Sequence, residues 1–474
     1  MSDAKRPSTK LSLTVAACLL LATGMSSSAI PSYEIDLFVD WASGTFSGTT
    51  TVVAANCTAA SIDGFLFRLF ANNPGVYGEA YLSVTKISAE GETIDFPAQP
   101  ASTTLWVPLP SPLEPEQTVS LVLEFVGKTA PSPLKADRPK TGYGILTKND
   151  DSMVLSAFYP MLSPQTVQAS SLEEACGIGD LLWGEAADYS VTLRIDRDLA
   201  PAASGRLIAS HGNGDDAVHR FEAQAARDFS LVLTLDYEEI ELQSSGQTLR
   251  AFFTPPHQAA SVRAIELASD ALDLYERAVG SLPFDEVDIV EVPLQRVAGV
   301  EFSGLILVSE AYAENPYTQF YDIILSHEMA HQWFYAAVGN DPSASPWLDE
   351  AFATFLSNLF LAEFRGGEAA SAERARWRRS YEAAHDANQE QTIADPACSF
   401  ATSSAYSAFV YDGGAWFLSQ LRDTVGDEIF FEVLSTYYID NLGRIATKEA
   451  LLSSFESACD CSLAELCRTF GILP

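Results

Sequence analysis

Between Tyr33 and about Leu242 the apolar positions come in short alternating runs, among them SYEIDLFVDW, GTTTVVAA, VSLVLEFVG, DYSVTLRID and FSLVLTLDY, broken by Gly, Pro, Asn and Asp. A period of two marks strands with one buried face, so this part of the chain is expected to be an antiparallel β domain. The period changes after Leu249. There SVRAIELASDALDLYERAVG carries apolar residues at helical spacing and ends at Gly280, a residue suited to a helix C-terminus. Two strand-like runs follow, VDIVEVPL and GLILVSEAY, and helical patterns then dominate to the end. These switches place a domain boundary near residue 245, with a β-rich domain over 30–245 and a mostly helical one over 246–474. No internal repeat or low-complexity tract interrupts either domain.

Residues 1–29 read differently. Lys5, Arg6 and Lys10 precede the apolar run LSLTVAACLLLATG, and the small residues SSSA follow, the build of a secretory signal cleaved after Ala29. The run falls short of the roughly 20 apolar residues that span a bilayer, so no stable membrane insertion is expected after cleavage. Val15-Ala16-Ala17-Cys18 offers a second reading, a lipoprotein box that would anchor the chain through Cys18. Either way the expected location is secreted, periplasmic or elsewhere in the cell envelope.

Charge narrows the partners. The formal charge is −35, and loss of Lys5, Arg6, Lys10 and Asp3 with the signal makes it −37. So acidic a surface repels nucleic acid and anionic membranes at long range, and neither is expected as a partner. An apolar fraction of 47% is that of a packed chain, so order is expected almost throughout. Outside the signal, Cys57, Cys176, Cys398, Cys459, Cys461 and Cys467 could form three disulfides in an oxidising compartment. The cluster CDCSLAELC lacks paired CxxC knuckles, which favours a local disulfide clip over a zinc site. Asn56-Cys57-Thr58 fits the glycosylation pattern of a eukaryotic secretory pathway.

Candidate chemistry sits on the helix expected from about Tyr317 to Val338, which contains LSHEMAHQWF. His327 and His331 are one helical turn apart, so both imidazoles can reach one ion. The whole chain has six histidines, and two at this spacing within an apolar helix are hard to explain as filler. A catalytic zinc takes three protein ligands and leaves one place open. The run PWLDEAFATFLSNLF supplies the third: Glu350 stands 19 residues after His331, past the loop GNDPSAS, on a second helix announced by Pro346. Between Leu348, Phe352 and Phe355 its carboxylate would be a costly unpaired charge, which a zinc ion would meet. Glu328 then becomes the general base that takes a proton from activated water. Asp349 reads equally as a residue that orients its neighbour or as a solvent-facing carboxylate.

HEMAHQWF followed by WLDEAFA resembles the aminopeptidase N family of zinc metallopeptidases, gluzincins in which a thermolysin-like catalytic domain follows an N-terminal β domain. Ala298 to Phe302 is similar to the family's GxMEN segment, and the resemblance implies that Glu301, with Gly299 beside it, grips the substrate's free α-amine. YSAFVYDGGAWFL is similar to the segment whose tyrosine stabilises the tetrahedral intermediate, by that match Tyr411; Tyr406 has a counterpart in some members. Physical sense agrees, since a phenol can donate to a developing oxyanion and a strand-end carboxylate can neutralise an ammonium group. Taken apart from the family, Tyr411 reads as a core aromatic and Glu301 as a solvated edge charge. The similarity covers about residues 245–470. It implies one zinc ion per chain, peptide substrates, and attack of activated water with no covalent intermediate.

Departures from the family pattern bear on substrate preference. Val300 and Phe302 stand in place of its Met and Asn, WLNEG reads WLDEA, and HExxHxWFGN reads HEMAHQWFYA. The family's Gln or Glu from the β domain has no clear counterpart near SAFYPMLSPQ. The large C-terminal helical domain of longer members is expected to be absent, which would leave a more open cleft. Two alternatives follow: a zinc endopeptidase or other amide hydrolase with no strict need for a free N-terminus, and a non-catalytic binding protein. The intact His327, Glu328, His331 and Glu350 argue against the second.

Overall fold

A computed structural model of the chain describes residues 30–73, 76, 79–96, 102–130, 142–165, 177–180 and 182–473. The expected signal segment with Cys18, and Cys176, lie outside these residues. In the strand Ser32–Asp40 the side chains of Tyr33, Ile35, Leu37 and Val39 are buried and Glu34, Asp36 and Phe38 between them are exposed, as the alternation demands. Eight strands form the main sheet, in the order Arg206–Asn213, Asp216–Ala226, Ala187–Asp196, Ser32–Asp40, Thr45–Ala55, Thr118–Lys128, Leu82–Ala89 and Glu92–Thr93. Its pairings are antiparallel except one: Ser32–Asp40 runs parallel to Ala187–Asp196. Parallel neighbours need a long crossover, and the rest of the β domain's first half supplies it. A three-stranded and a four-stranded sheet share the core, where Tyr33, Tyr159 and Tyr189 meet.

The second domain is built on a five-stranded mixed sheet, in the order Glu238–Ser244, Gln247–Phe253, Glu286–Val292, Leu305–Ser309 and Gly299–Phe302. Because Glu238–Ser244 already pairs with Gln247–Phe253, this sheet begins before residue 245. Phe252, Val290, Val292, Leu305 and Leu307 pack into the core of the N-terminal domain, while Leu249, Ala251, Ile289, Ile306 and Val308 face the helical core. Both faces being covered, the central strand Glu286–Val292 is buried throughout. Gly299–Phe302 is left at the edge, where its residues can meet a cavity.

Four helices frame that cavity or its supports: α1 (Gln258–Ala278), α2 (Gln319–Ala330), α3 (Trp347–Phe364) and α4 (Gly367–Ala387). α2 is shorter than its apolar pattern suggests. It begins where the Thr318 hydroxyl accepts from the Tyr321 N–H. It ends at Ala330 because the chain then opens into wider turns, with the N–H groups of Ala336, Ala337 and Val338 donating to the carbonyls of His331, Gln332 and Trp333. The apolar residues continue through that turn, where Phe334 stacks on Phe352 of α3 at 4.2 Å between centroids.

The cysteines depart from three disulfides. Cys459 and Cys461 form the local clip and Cys398 is disulfide-bonded, but Cys57 and Cys467 are free. The Cys467 thiol is buried on the inner face of the last helix, Ala464–Thr469. Asn56 is buried, and its amide donates to the carbonyls of Ala60 and Leu113, so it serves the fold rather than glycosylation. No helix among the described residues is long and apolar enough to cross a membrane.

Candidate metal and active site

His327 and His331 project from the C-terminal end of α2, and the first turn of α3 brings Glu350 against them. The three ligand atoms form a triangle. Nε2 of His327 lies 3.1 Å from Nε2 of His331, and Oε2 of Glu350 lies 3.2 and 3.4 Å from these nitrogens. Ligands at about 2.0–2.2 Å from a tetrahedral zinc stand about 3.3–3.5 Å apart, so the triangle has the size that ion requires. Oε2 of Glu350 is buried and has no hydrogen-bond partner among the described residues. This orphaned oxygen is the atom a metal would satisfy. Nδ1 of His331 donates to the Phe334 carbonyl at 3.1 Å, which turns Nε2 toward Glu350.

The electrostatics call for positive charge at the same point. Burial alone would raise the Glu350 carboxyl, but the two imidazoles against it hold it down at about 2. Burial lowers the His327 imidazole, which keeps its nitrogen free. At His331 burial acts in that direction too, yet the charges of Glu301 and Glu350 outweigh it and raise the ring well above its usual value. A dication supplies what the surrounding carboxylates demand.

Glu328 leaves α2 between the two histidines, is 6% exposed, and has no partner for Oε2 among the described residues. Burial first, and the Glu301 charge second, push its carboxyl well above the ordinary range. Gly299 on the edge strand packs directly against it: a Cβ there would fall 2.4 Å from Oε1 of Glu328. Two residues on, Glu301 is 8% exposed, and its carboxylate, that of Glu328 and the His331 ring offer atoms within 4.8 Å of one another. This second cluster shares His331 with the first but has two carboxylates facing the cavity, where an ammonium group would sit.

Tyr411 lies on a π-helical turn, Ser407–Gly413, and its ring stacks on His327 at 5.8 Å and 13°. The turn approaches α3 closely because Gly414 carries no side chain; a Cβ there would be 2.6 Å from that of Ala351, next to Glu350. Burial, then the Glu350 charge, raises the Tyr411 phenol well above its usual value, so it stays a donor. Tyr406 is buried edge-on to Tyr411 at 5.9 Å, and its hydroxyl has no partner among the described residues. Asp349 is buried rather than solvent-facing, and its Oδ1 accepts from the Glu350 N–H at 2.7 Å.

His327, Glu328, Glu350, Glu301 and Tyr411 open on one cavity of about 820 Å³. Its wall includes Asp180 of the N-terminal domain, whose Oδ2 has no partner among the described residues. Burial and the charges of Glu301 and Glu350 raise that carboxyl well above its usual range. No motif announces Asp180, which reaches the cavity by tertiary folding alone. Gln165, at the end of SAFYPMLSPQ, instead donates to the Ala55 carbonyl and accepts from the Cys57 N–H. A second residue missed in the sequence is Tyr335 on the cavity wall; its one signal is a tyrosine where the HExxHxWFGN run has glycine.

Comparison with known proteins fits this geometry. Residues 263–470 match the peptidase family M1 domain. Probable aminopeptidase 1 of Sulfurisphaera tokodaii is 27% identical over 187 residues, covering 37% of this chain and 24% of the relative. Aminopeptidase N of Lactobacillus helveticus is 21% identical over 465 residues, covering 92% of this chain and 49% of the relative. The chain thus spans at most about half the length of these relatives. Among solved structures, the M1 zinc metallopeptidase from Deinococcus radiodurans superposes with a TM-score of 0.67 at 18% identity, over 93% of both chains. A mutant of that protein bound to a Tyr-Ser-Ala substrate gives 0.65 at 19% identity, over 93% of this chain and 94% of its own. At these identities the likeness establishes the two-domain fold.

Proposed function

We propose that this chain, which carries a peptidase family M1 domain over residues 263–470, is a zinc-dependent aminopeptidase that removes N-terminal residues from peptides. The observation that carries the reading is the triangle of His327, His331 and Glu350 at 3.1–3.4 Å, with Glu328 and Glu301 beside it on one cavity. Zinc held there supplies a Lewis acid that makes water acidic near neutral pH and polarises a carbonyl. Glu301, with Asp180 lining the same cavity, takes the substrate's α-ammonium and so sets the scissile bond one residue from the chain end. Glu328 accepts the proton of the attacking water and returns it to the departing amine. Tyr411 donates to the oxygen that gains charge in the transition state. Asp349 holds the Glu350 backbone, which fixes that carboxylate against the histidines. The charged start and apolar run of residues 1–29 support action outside the cytoplasm, on peptides of the envelope or medium.

The test is mass spectrometry of one peptide with a free N-terminus and of its N-acetylated twin, each incubated with purified protein and with Glu328→Gln. Stepwise loss of N-terminal residues from the free peptide alone, abolished in Glu328→Gln, is the expected result. Cleavage of both peptides would overturn the chain-end restriction in favour of an endopeptidase, a reading that Val300 and Phe302 beside Glu301 would then explain.

A further inference from the structure

We infer that Asp228 and Tyr335 form a positioning pair through which the N-terminal domain sets the direction of the ligand His331 and the placement of the Glu301 strand. Tyr335 has φ +128°, a conformation that residues with a side chain rarely adopt, four residues past His331. Three bonds hold it there. Its hydroxyl donates to Oδ2 of Asp228 at 2.9 Å, its carbonyl accepts from Nε of Arg227 at 2.6 Å, and its N–H donates to the Val338 carbonyl at 2.9 Å. Arg227 also donates to the carbonyls of Ala337 and Arg444, and Gly339 makes room for it: a Cβ there would fall 2.3 Å from the Arg227 Cζ.

The peptide group that enters Tyr335 is the one whose carbonyl, Phe334 O, receives the His331 Nδ1–H at 3.1 Å. The torsion at Tyr335 therefore aims the acceptor that aims the imidazole. The same Oδ2 of Asp228 accepts from the N–H and hydroxyl of Ser303 at 3.2 and 3.1 Å, directly after the strand that carries Glu301. Gln332 closes the frame from the other side. Its Nε2 donates to the Phe302 carbonyl at 3.1 Å and its Oε1 accepts from the Gly304 N–H at 2.9 Å. One buried carboxylate thus ties the turn below the metal ligands to the strand that receives the substrate amine, and it does so from the other domain. A strained conformation kept by such bonds is a means of preorganisation.

The inference rests on the zinc reading of the site, and its test separates the two. Zinc affinity is measured by competition with a chelator of known strength for the parent protein, Tyr335→Phe, Tyr335→Gly and Asp228→Asn. The visible spectrum of each cobalt(II)-loaded protein and the unfolding temperature of each metal-free protein are recorded alongside. Tyr335→Phe removes only the hydroxyl and keeps the buried ring; Tyr335→Gly removes both but takes φ +128° without strain; Asp228→Asn keeps the tyrosine whole, so the bond is probed from both ends. The expected result is that Tyr335→Gly, whose backbone needs no bond to hold φ +128°, stays near the parent, whereas Tyr335→Phe has a Kd for zinc about 10- to 100-fold weaker and an altered cobalt spectrum. Asp228→Asn should share both changes and raise KM for free-N-terminus peptides. Unchanged affinity and spectrum in Tyr335→Phe and Asp228→Asn, with or without a lower unfolding temperature, would give these residues a merely structural role and overturn the proposal. A parent protein that binds no zinc would overturn the metal reading and this inference with it.

Discussion

Gly299→Ala places one methyl group against the proposed general base. The added Cβ would lie 2.4 Å from Oε1, 2.5 Å from Cδ and 2.6 Å from Cγ of Glu328. Ordinary contacts between such atoms are about 3.5–4.0 Å, so the carboxylate must retreat by about 1 Å or more. Gly299 is not among the glycines of positive φ, so alanine brings no backbone strain, and the atoms displaced are the far end of a flexible side chain. The fold should therefore tolerate the change. Catalysis should not, because a 1 Å misplacement of a reacting group costs on the order of 100-fold, or about 2.7 kcal/mol in the barrier. The assay is kcat and KM on an aminoacyl p-nitroanilide, with zinc content and unfolding temperature measured on the same preparation. We expect kcat/KM to fall about 100-fold with zinc still at one per chain, since the three atoms nearest the new methyl all belong to Glu328. Parental activity would refute the reasoning, because it would show that Glu328 need not occupy this position to act.

Other substitutions probe other links. Glu301→Gln keeps the shape but removes the charge that would meet the substrate amine; a loss of about 2–3 kcal/mol, roughly 30- to 200-fold in kcat/KM, is expected for free-N-terminus peptides. A loss of less than about threefold would leave Glu301 without that role. Tyr411→Phe should lower kcat about 100-fold with little change in KM, because its bond forms only in the transition state; a rise in KM alone would place Tyr411 in substrate binding instead. Phe352→Ala deletes a ring that is fully buried and stacked on Phe334, and should cost about 3–5 kcal/mol in urea unfolding. A cost under about 1 kcal/mol would mean that the α2–α3 contact does not anchor the ligand set.

What the sequence revealed was what depends on near neighbours. The histidines at one-turn spacing and a glutamate on the next helix needed only helical geometry to meet, and the alternating runs needed only a buried face to become strands. Elements whose form depends on distant residues were not legible. The apolar pattern of α2 runs on to Val338, but the helix stops at Ala330, where the wide turn with Tyr335 at φ +128° begins. That turn is held by Arg227 and Asp228, more than 100 positions away. The parallel pairing of Ser32–Asp40 with Ala187–Asp196 has no signature in either run, since both alternate alike. Asp180 and the contact of Gly299 with Glu328 arise from packing between elements that no local spacing relates. Six cysteines could have formed three disulfides, but counting them does not say that Cys467 is buried within a helix packing face and, like Cys57, stays free.

Zinc titration of metal-free protein, with release of the N-terminal residue from a free peptide followed at each addition, tests the central claim most directly. No turnover is expected without metal, with a linear rise that saturates at one zinc per chain and no such rise in Glu350→Gln at the same zinc concentrations. Turnover that persists in fully metal-free protein, or that Glu350→Gln matches at one equivalent, would contradict it.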